Sequence, residues 1–487
     1  RIVHPTPSML KKLFKFSVIY GLGGVTSKAV LFLTIPIFTR LFSPEYYGRI
    51  ELLNSLTMFL GIVLTCGMDS AQSFFFYKNE ERDPASQAKL VTAILQWRFV
   101  WGICIIAIAL TFAPVINEWI FDGQESLVLF VIVFLGAWTF QAMGQGIEIY
   151  RLVHRPYWYI SLNLVNAVLT IGLALIFIYI ADLGITGYFL GYLTSALLAG
   201  FLSWGSLREY LDFSAFHRDW WLRLMKFGGP LVPGGIALVI MLMADRWFIQ
   251  FFVGAETVGL YAVAGQFAMA LGLIVNAFRQ AWWPMAMEAV QTEDGKDSFR
   301  VLARVYLGFG GASVIVLTGW APWILSWLVP QPYWSSYTLI GPLAWYPVFY
   351  GFYLISSPGL WKMERMDYAS GLMIAAGTLN IVLNWIAVPR WGSLGAAMST
   401  SISFFVWNLG VIWLSERLWK VDFPYFFLLG QVAWGITGTF VVYQTYQQTL
   451  SFPITMSLSL VIAILVSASA LPLKSWGRML SRFKASA

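Results

Sequence analysis

The chain has 487 residues, of which 59% are hydrophobic and 11% charged, with a formal net charge of +7. Soluble proteins carry about 25% charged residues, so this composition excludes a soluble fold and describes a polytopic membrane protein with no room for a large aqueous domain. The two cysteines, Cys66 and Cys104, lie inside apolar segments, and the three histidines, His4, His154 and His217, lie near segment ends. Neither a disulfide framework nor a Cys/His metal site is supported, and no cofactor is expected.

A helix needs about 20 apolar residues to cross a hydrocarbon core of roughly 30 Å. In chain order, hydropathy predicts fourteen spans, at 16–39, 50–76, 88–112, 126–149, 157–180, 185–206, 227–253, 258–286, 301–321, 337–360, 367–389, 393–414, 423–443 and 452–472. The first is too long and too poorly flanked for a cleaved signal peptide and reads as a retained span. Numbering the connections alternately, one side collects 24 of the 31 basic residues. The other side holds three (Arg40, Arg49, Arg390), and four (Lys28, Arg98, Arg246, Arg279) fall within spans. The excess of Lys and Arg on cytoplasmic connections then places both termini in the cytoplasm, and an odd number of spans would break the alternation. The net positive charge is this topology signal, and no nucleic-acid partner is expected.

The sequence repeats itself. At an offset of 211, Leu13, Lys15, Phe16, Gly23, Gly24, Leu31, Glu45 and Gly48 fall without a gap on Leu224, Lys226, Phe227, Gly234, Gly235, Leu242, Glu256 and Gly259. Six spans separate the copies, and an even number preserves orientation. The expected fold is therefore all-α, with two parallel six-helix repeats as N- and C-lobes around a central cavity, plus two C-terminal helices. The corresponding divisions are 1–215, 216–420 and 421–487. Glycines and prolines recur in matching places, Gly21, Gly23 and Gly24 against Gly228, Gly229, Pro230, Pro233, Gly234 and Gly235. They predict interrupted helices near the cytoplasmic ends, as a moving gate or as close packing requires.

Ionisable side chains inside a bilayer are costly and usually face an interior or a watery cavity. Here cations outnumber acids: Lys28, Arg98, Arg246 and Arg279 against Asp69 and Asp245. Pairing among themselves is one reading; a cationic cavity that suits an anionic, phosphate-bearing substrate is the other. Candidate cavity-lining groups are Gln141, Gln145 and Glu148 on the fourth span, Asn276 and Gln280 beside Arg279 on the eighth, and Asn380 and Asn384 on the eleventh. Each is equally suited to hydrogen bonding between helices. No nucleotide-binding loop, zinc-protease or serine-hydrolase motif occurs, and the outer connections are short, which argues against an enzyme.

Residues Ile37-Phe-Thr-Arg40-Leu-Phe-Ser-Pro44-Glu45-Tyr-Tyr-Gly48, then Gly67-Met-Asp69-Ser-Ala71 and Phe74-Phe-Phe-Tyr77, resemble the opening of Wzx-type polysaccharide flippases of the multidrug/oligosaccharidyl-lipid/polysaccharide (MOP) exporter superfamily. The second-half opener is similar to it too, through Pro230-Leu-Val-Pro233, Asp245-Arg246 and Glu256-Thr-Val-Gly259-Leu-Tyr261. The resemblance implies a two-lobed transporter of the bacterial inner membrane. Its implied cargo is an undecaprenyl-diphosphate-linked oligosaccharide, moved to the outer leaflet for O-antigen or exopolysaccharide synthesis, with polysaccharide polymerase or assembly proteins as partners. On that reading Lys28, Arg98, Arg246 and Arg279 hold the diphosphate, and Asp69, Asp245 or Glu148 serves H⁺ or Na⁺ coupling. Lipid II flippases and multidrug exporters of the same superfamily are the alternatives.

Overall fold

The computed structural model describes residues 30, 32, 34–78, 83–214, 216, 218–292 and 295–471. Among these residues all regular structure is helical. In order come α1 (Thr34–Leu41), α2 (Pro44–Thr65), α3 (Met68–Tyr77), α4 (Pro84–Phe121), α5 (Leu127–Leu152), α6 (Pro156–Tyr179), α7 (Gly184–Gly205) and α8 (Arg218–Gly228). Then follow α9 (Val232–Phe252), α10 (Ala255–Ala289), α11 (Gly295–Leu328), α12 (Tyr337–Ser356), α13 (Pro358–Lys362), α14 (Met366–Leu418), α15 (Tyr425–Thr449) and α16 (Phe452–Ala470).

Twelve helical segments among the described residues are long and apolar enough to cross a membrane. One of them, α14, has 53 residues and is two spans in one: Gly392 interrupts it at φ 57°, ψ −138°, a backbone conformation that needs the absence of a Cβ. Counting its halves separately, and adding the predicted span 16–39 that lies mostly outside the described residues, reconciles the twelve segments with the fourteen predicted. Local chemistry sets the ends. Asp83 caps α4 by accepting from the Ser86 N–H at 3.1 Å, with Pro84 as the first helical residue, and Ser126 caps α5 through the Val128 N–H at 3.2 Å. The glycine- and proline-rich stretch around 228–235 ends α8 at Gly228 and inserts a 3₁₀ turn, Gly229–Leu231, before α9.

Two differences from the predicted boundaries bear on the polar residues. Predicted span 50–76 breaks at Cys66 (φ 47°) and Gly67 (φ 73°), which makes α3 a separate short helix. Predicted span 88–112 runs on to Phe121. The exposed apolar face of α4 starts at Phe99, 61% exposed, and ends at Trp119, 76% exposed, which is about 30 Å of helix, the depth of a hydrocarbon core. Below Phe99, α4 is sheathed by the segment before α8 and by α8 itself. There the Asp212 N–H donates to Thr92 Oγ1 at 2.7 Å and Trp221 Nε1–H to the Ala93 carbonyl at 2.8 Å. Arg98 thus sits where this cover ends and the exposed apolar face of α4 begins.

The described chain forms two compact units, Arg49–Val239 in the first, and Ile35–Gly48 with the residues from Ile240 onward in the second. In the first, α7 packs along α6 and α5, with Gly191 seated on the Ala174 backbone. Gly67 and Gly228 also meet there, each lacking space for a Cβ because the other's backbone occupies it. In the second, α11 is the hub for α12, α15 and α16. Gly319 lies against Ser459, and Gly435 lies on Trp345 beside Gly311, so small residues seat the final helix pair by close approach.

The second unit also holds the matching helix starts of both repeats, 44–48 and 255–259. A Cβ on Gly48 would run into the Ala255 carbonyl, and a Cβ on Gly259 would run into the Pro44 carbonyl. Pro44 and Gly48 shifted by the repeat offset are Ala255 and Gly259, so the two contacts are one contact repeated about a local two-fold axis. Gly48→Val and Gly259→Val are each expected to destabilise the protein by about 1–3 kcal/mol. The double substitution should cost less than the sum, because a single separation of the two segments accommodates both added side chains. Apparent Tm in detergent measures it, and strict additivity would refute the reciprocal contact.

Candidate functional site

The first polar cluster is built from α3, α4 and α5. Arg98 is 2% exposed. Its Nε–H donates to Gln145 Oε1 at 3.1 Å and its Nη2 pairs with the Asp69 carboxylate. Gln145 Nε2 donates in turn to Gln72 Oε1 at 3.1 Å and to the Val91 carbonyl at 3.2 Å. Trp138 Nε1–H donates to the Arg98 carbonyl at 2.7 Å and ties α5 to α4 at this level. Asp69, in the first turn of α3, is half-exposed, so the pair has one dry end and one wet end. Arg98 Nη1 and Gln72 Nε2 are buried donors without a partner. Buried donors are almost always satisfied, and two orphans in one connected cluster have the chemistry of an anion or water site.

The second cluster lies at the middle of α9. Asp245 is buried, and Arg246 beside it donates from Nη1 to Asp245 Oδ1 at 3.0 Å and to the Leu242 carbonyl at 2.9 Å. The Tyr261 hydroxyl of α10 donates to Asp245 Oδ2, and Thr400 Oγ1 of α14 reaches the same oxygen at 3.3 Å. Three helices therefore converge on one carboxylate. Asn380 and Asn384, candidate cavity-lining groups, are buried on α14 and bond within their own helix through Asn384 Nδ2 to the Asn380 carbonyl at 2.9 Å. Asn380 Nδ2 and Asn384 Oδ1 are left without partners.

Arg279 on α10 differs from both. It is half-buried and has no carboxylate partner among the described residues, and its guanidinium lies 4.7 Å from the centre of the Tyr350 ring. Asn276 is half-buried and Gln280 exposed on the same helix. The expected stripe on α5 divides: Gln145 belongs to the Arg98 cluster, Gln141 Nε2 fills the space beside Gly61, and Glu148 pairs with Arg151 one turn on, at the helix end. Lys28 lies outside the described residues. Two of the expected cations are thus neutralised by a neighbouring acid, and of the expected cations that fall among the described residues Arg279 is the one without an acid partner. Gln72, Tyr261 and Thr400 were not singled out from sequence; Gln72 follows Asp69 by three residues, a helical spacing that marks the shared face. No group of three metal-ligating side chains occurs among the described residues.

Comparison with known proteins places this arrangement. The family model described as a polysaccharide biosynthesis protein matches residues 13–290. "Lsg locus putative protein 1" of Haemophilus influenzae is 26% identical over 289 residues, covering 58% of this chain and 67% of that protein. An "Uncharacterized membrane protein" of the same organism is 23% identical over 350 residues, covering 70% and 77%. Among solved structures, the lipid II flippase MurJ in an inward closed conformation superposes with a TM-score of 0.70 at 14% identity, covering 93% of this chain and 98% of that one. An inward-facing multidrug resistance MATE family transporter of the MOP superfamily gives 0.67 at 16%, covering 81% and 95%. These structural neighbours are transporters, and at such identities they establish the fold. The chain belongs to the polysaccharide biosynthesis protein family and has the fold of the MOP exporters.

Proposed function

We propose that the protein is a flippase that carries an undecaprenyl-diphosphate-linked oligosaccharide from the inner to the outer leaflet of a bacterial cytoplasmic membrane by alternating access. The observation that carries this reading is a set of unused donors on the candidate spans: Arg279, which has no acid partner among the described residues, and, beside the Arg98–Asp69 pair, the unbonded Arg98 Nη1 and Gln72 Nε2. A diphosphate supplies acceptors for these groups, and it is the one charged part of such a cargo. Lys28 and Arg246 are the further cations of the proposed set. The family match to polysaccharide biosynthesis supports the glycan, and the charge alternation of the connections supports termini in the cytoplasm. The divisions 1–215, 216–420 and 421–487 are proposed as two rocking lobes and an accessory pair.

An inside-negative potential drives an anion outward by about 2.3 kcal/mol per charge per 100 mV, so a diphosphate of about two charges gains roughly 4–5 kcal/mol without ATP. Asp245, held by three helices, is the proposed H⁺ or Na⁺ coupling group, with Asp69 and Glu148 as the further candidates. The lipid II reading is favoured by the superposition on MurJ, and it differs only in the glycan.

The test is leaflet transfer of labelled undecaprenyl-diphosphate oligosaccharide in proteoliposomes, with lipid II in a parallel arm. Transfer that requires the protein and accelerates with an inside-negative potential is expected; faster transfer of lipid II selects that alternative, and transfer of neither overturns the proposal. Arg279→Gln should slow transfer about tenfold or more, the loss of one charge-assisted hydrogen bond. The pair Asp245→Asn/Arg246→Gln, which leaves no buried unpaired charge, should remove dependence on a Na⁺ or proton gradient while the response to potential persists. Retained gradient dependence would remove Asp245 from the coupling role.

A further inference from the structure

The diphosphate reading assigns nothing to the rings that surround Arg279. On α10, Asn276, Arg279, Gln280 and Trp283 follow the i, i+3, i+4, i+7 spacing of one helical face. The opposite face, with Ala270, Leu271 and Ile274, opens into an apolar groove against Phe309, Val316 and Trp320 of α11, which is the surface suited to lipid. The polar face therefore lies on the side of α10 away from that groove.

Against that face stands a connected set of rings. Arg279 lies over Tyr350; Tyr353 stacks on Trp407 with centroids 4.7 Å apart at 15°; Trp361 meets Tyr353 edge-on at 6.5 Å and 83°. Trp283 meets Trp361 at 5.0 Å and 70°. Trp407 is buried and forms the backing, while Tyr350, Tyr353 and Trp361 are half-buried and Trp283 is 46% exposed. The backing is fixed: Asn408 Nδ2 donates to the Phe349 carbonyl at 2.8 Å and Ser357 Oγ to the Tyr353 carbonyl at 2.6 Å.

Flat aromatic faces beside amide groups and one cation are matched by a pyranose next to a phosphate. The C–H face of the sugar rests on a ring, its hydroxyls reach the amides, and the phosphate meets the guanidinium. One helical turn, about 5–6 Å, separates Arg279 from Trp283, which is the width of one sugar ring. We propose that Tyr353, Trp361 and Trp283 form a sugar-stacking subsite next to Arg279, which distinguishes a glycosylated polyprenyl diphosphate from the bare lipid. This rests on the flippase reading and adds to it a means of rejecting unloaded carrier.

The experiment measures binding of two lipids, undecaprenyl diphosphate and the same lipid bearing a short oligosaccharide, to the full chain in nanodiscs. The wild type is expected to prefer the glycosylated lipid. Trp283→Leu should reduce that preference about fivefold or more, Trp283→Phe should retain it by keeping a ring, and Arg279→Gln should weaken both lipids while leaving the preference in place. An unchanged preference in Trp283→Leu, or an equal loss for both lipids, overturns the subsite and leaves the flippase reading intact. Binding of neither lipid by the wild type overturns that reading and the subsite together.

Discussion

A buried charge in this molecule must find its counter-charge inside the protein, and the interior is arranged around that demand. Removing an ion from water costs several kcal/mol even after relaxation, and an acid in hydrogen-bond contact offsets the cost only with good geometry. Arg98 meets it with Asp69 and Gln145, which commits α3, α4 and α5 to one register. Arg246 meets it with Asp245, which Tyr261 and Thr400 then orient, committing α9, α10 and α14. Each compact unit thus has a polar pin through three helices, in a setting where apolar contact gives little preference for one helix neighbour over another.

Between these pins the helices approach by subtraction of side chains. The reciprocal fit of Gly48 on Ala255 and Gly259 on Pro44 is where the repeat in the sequence becomes a symmetry in space. Residues 211 positions apart do the same work on each other, so the offset that aligned the two halves also says which residues touch. A comparable exclusion between Gly67 and Gly228 has no partner at that offset, and it belongs to the first unit alone.

Much of this was legible beforehand because hydrophobicity and basic charge act over whole segments. Span number, helical class and the family resemblance depend on sums that tolerate local error. The site was legible only as an inventory. Which cation keeps its charge is decided by contacts far apart in sequence, such as Asp69 with Arg98 or Asp245 with Thr400, and no local pattern encodes them. Hydropathy sees an apolar run from 88, but much of 88–97 is buried under the segment before α8 and α8 itself, and the exposed apolar face begins at Phe99. The break after Thr65 was missed because Cys66 and Gly67 are apolar enough to read as helix while their positive φ values end it.

Gly392 joins two spans without a loop, and this has a mechanical consequence. Thr400, which touches Asp245, and Trp407, which backs the stacked rings, are seven residues apart on one face of the second half of α14, about 10 Å along a single stiff rod. A rod anchored by a loopless reversal has little freedom to bend between those points. Displacement at the carboxylate is therefore delivered to the aromatic wall as translation or tilt of the whole helix, and the occupancy of one end becomes a load on the other.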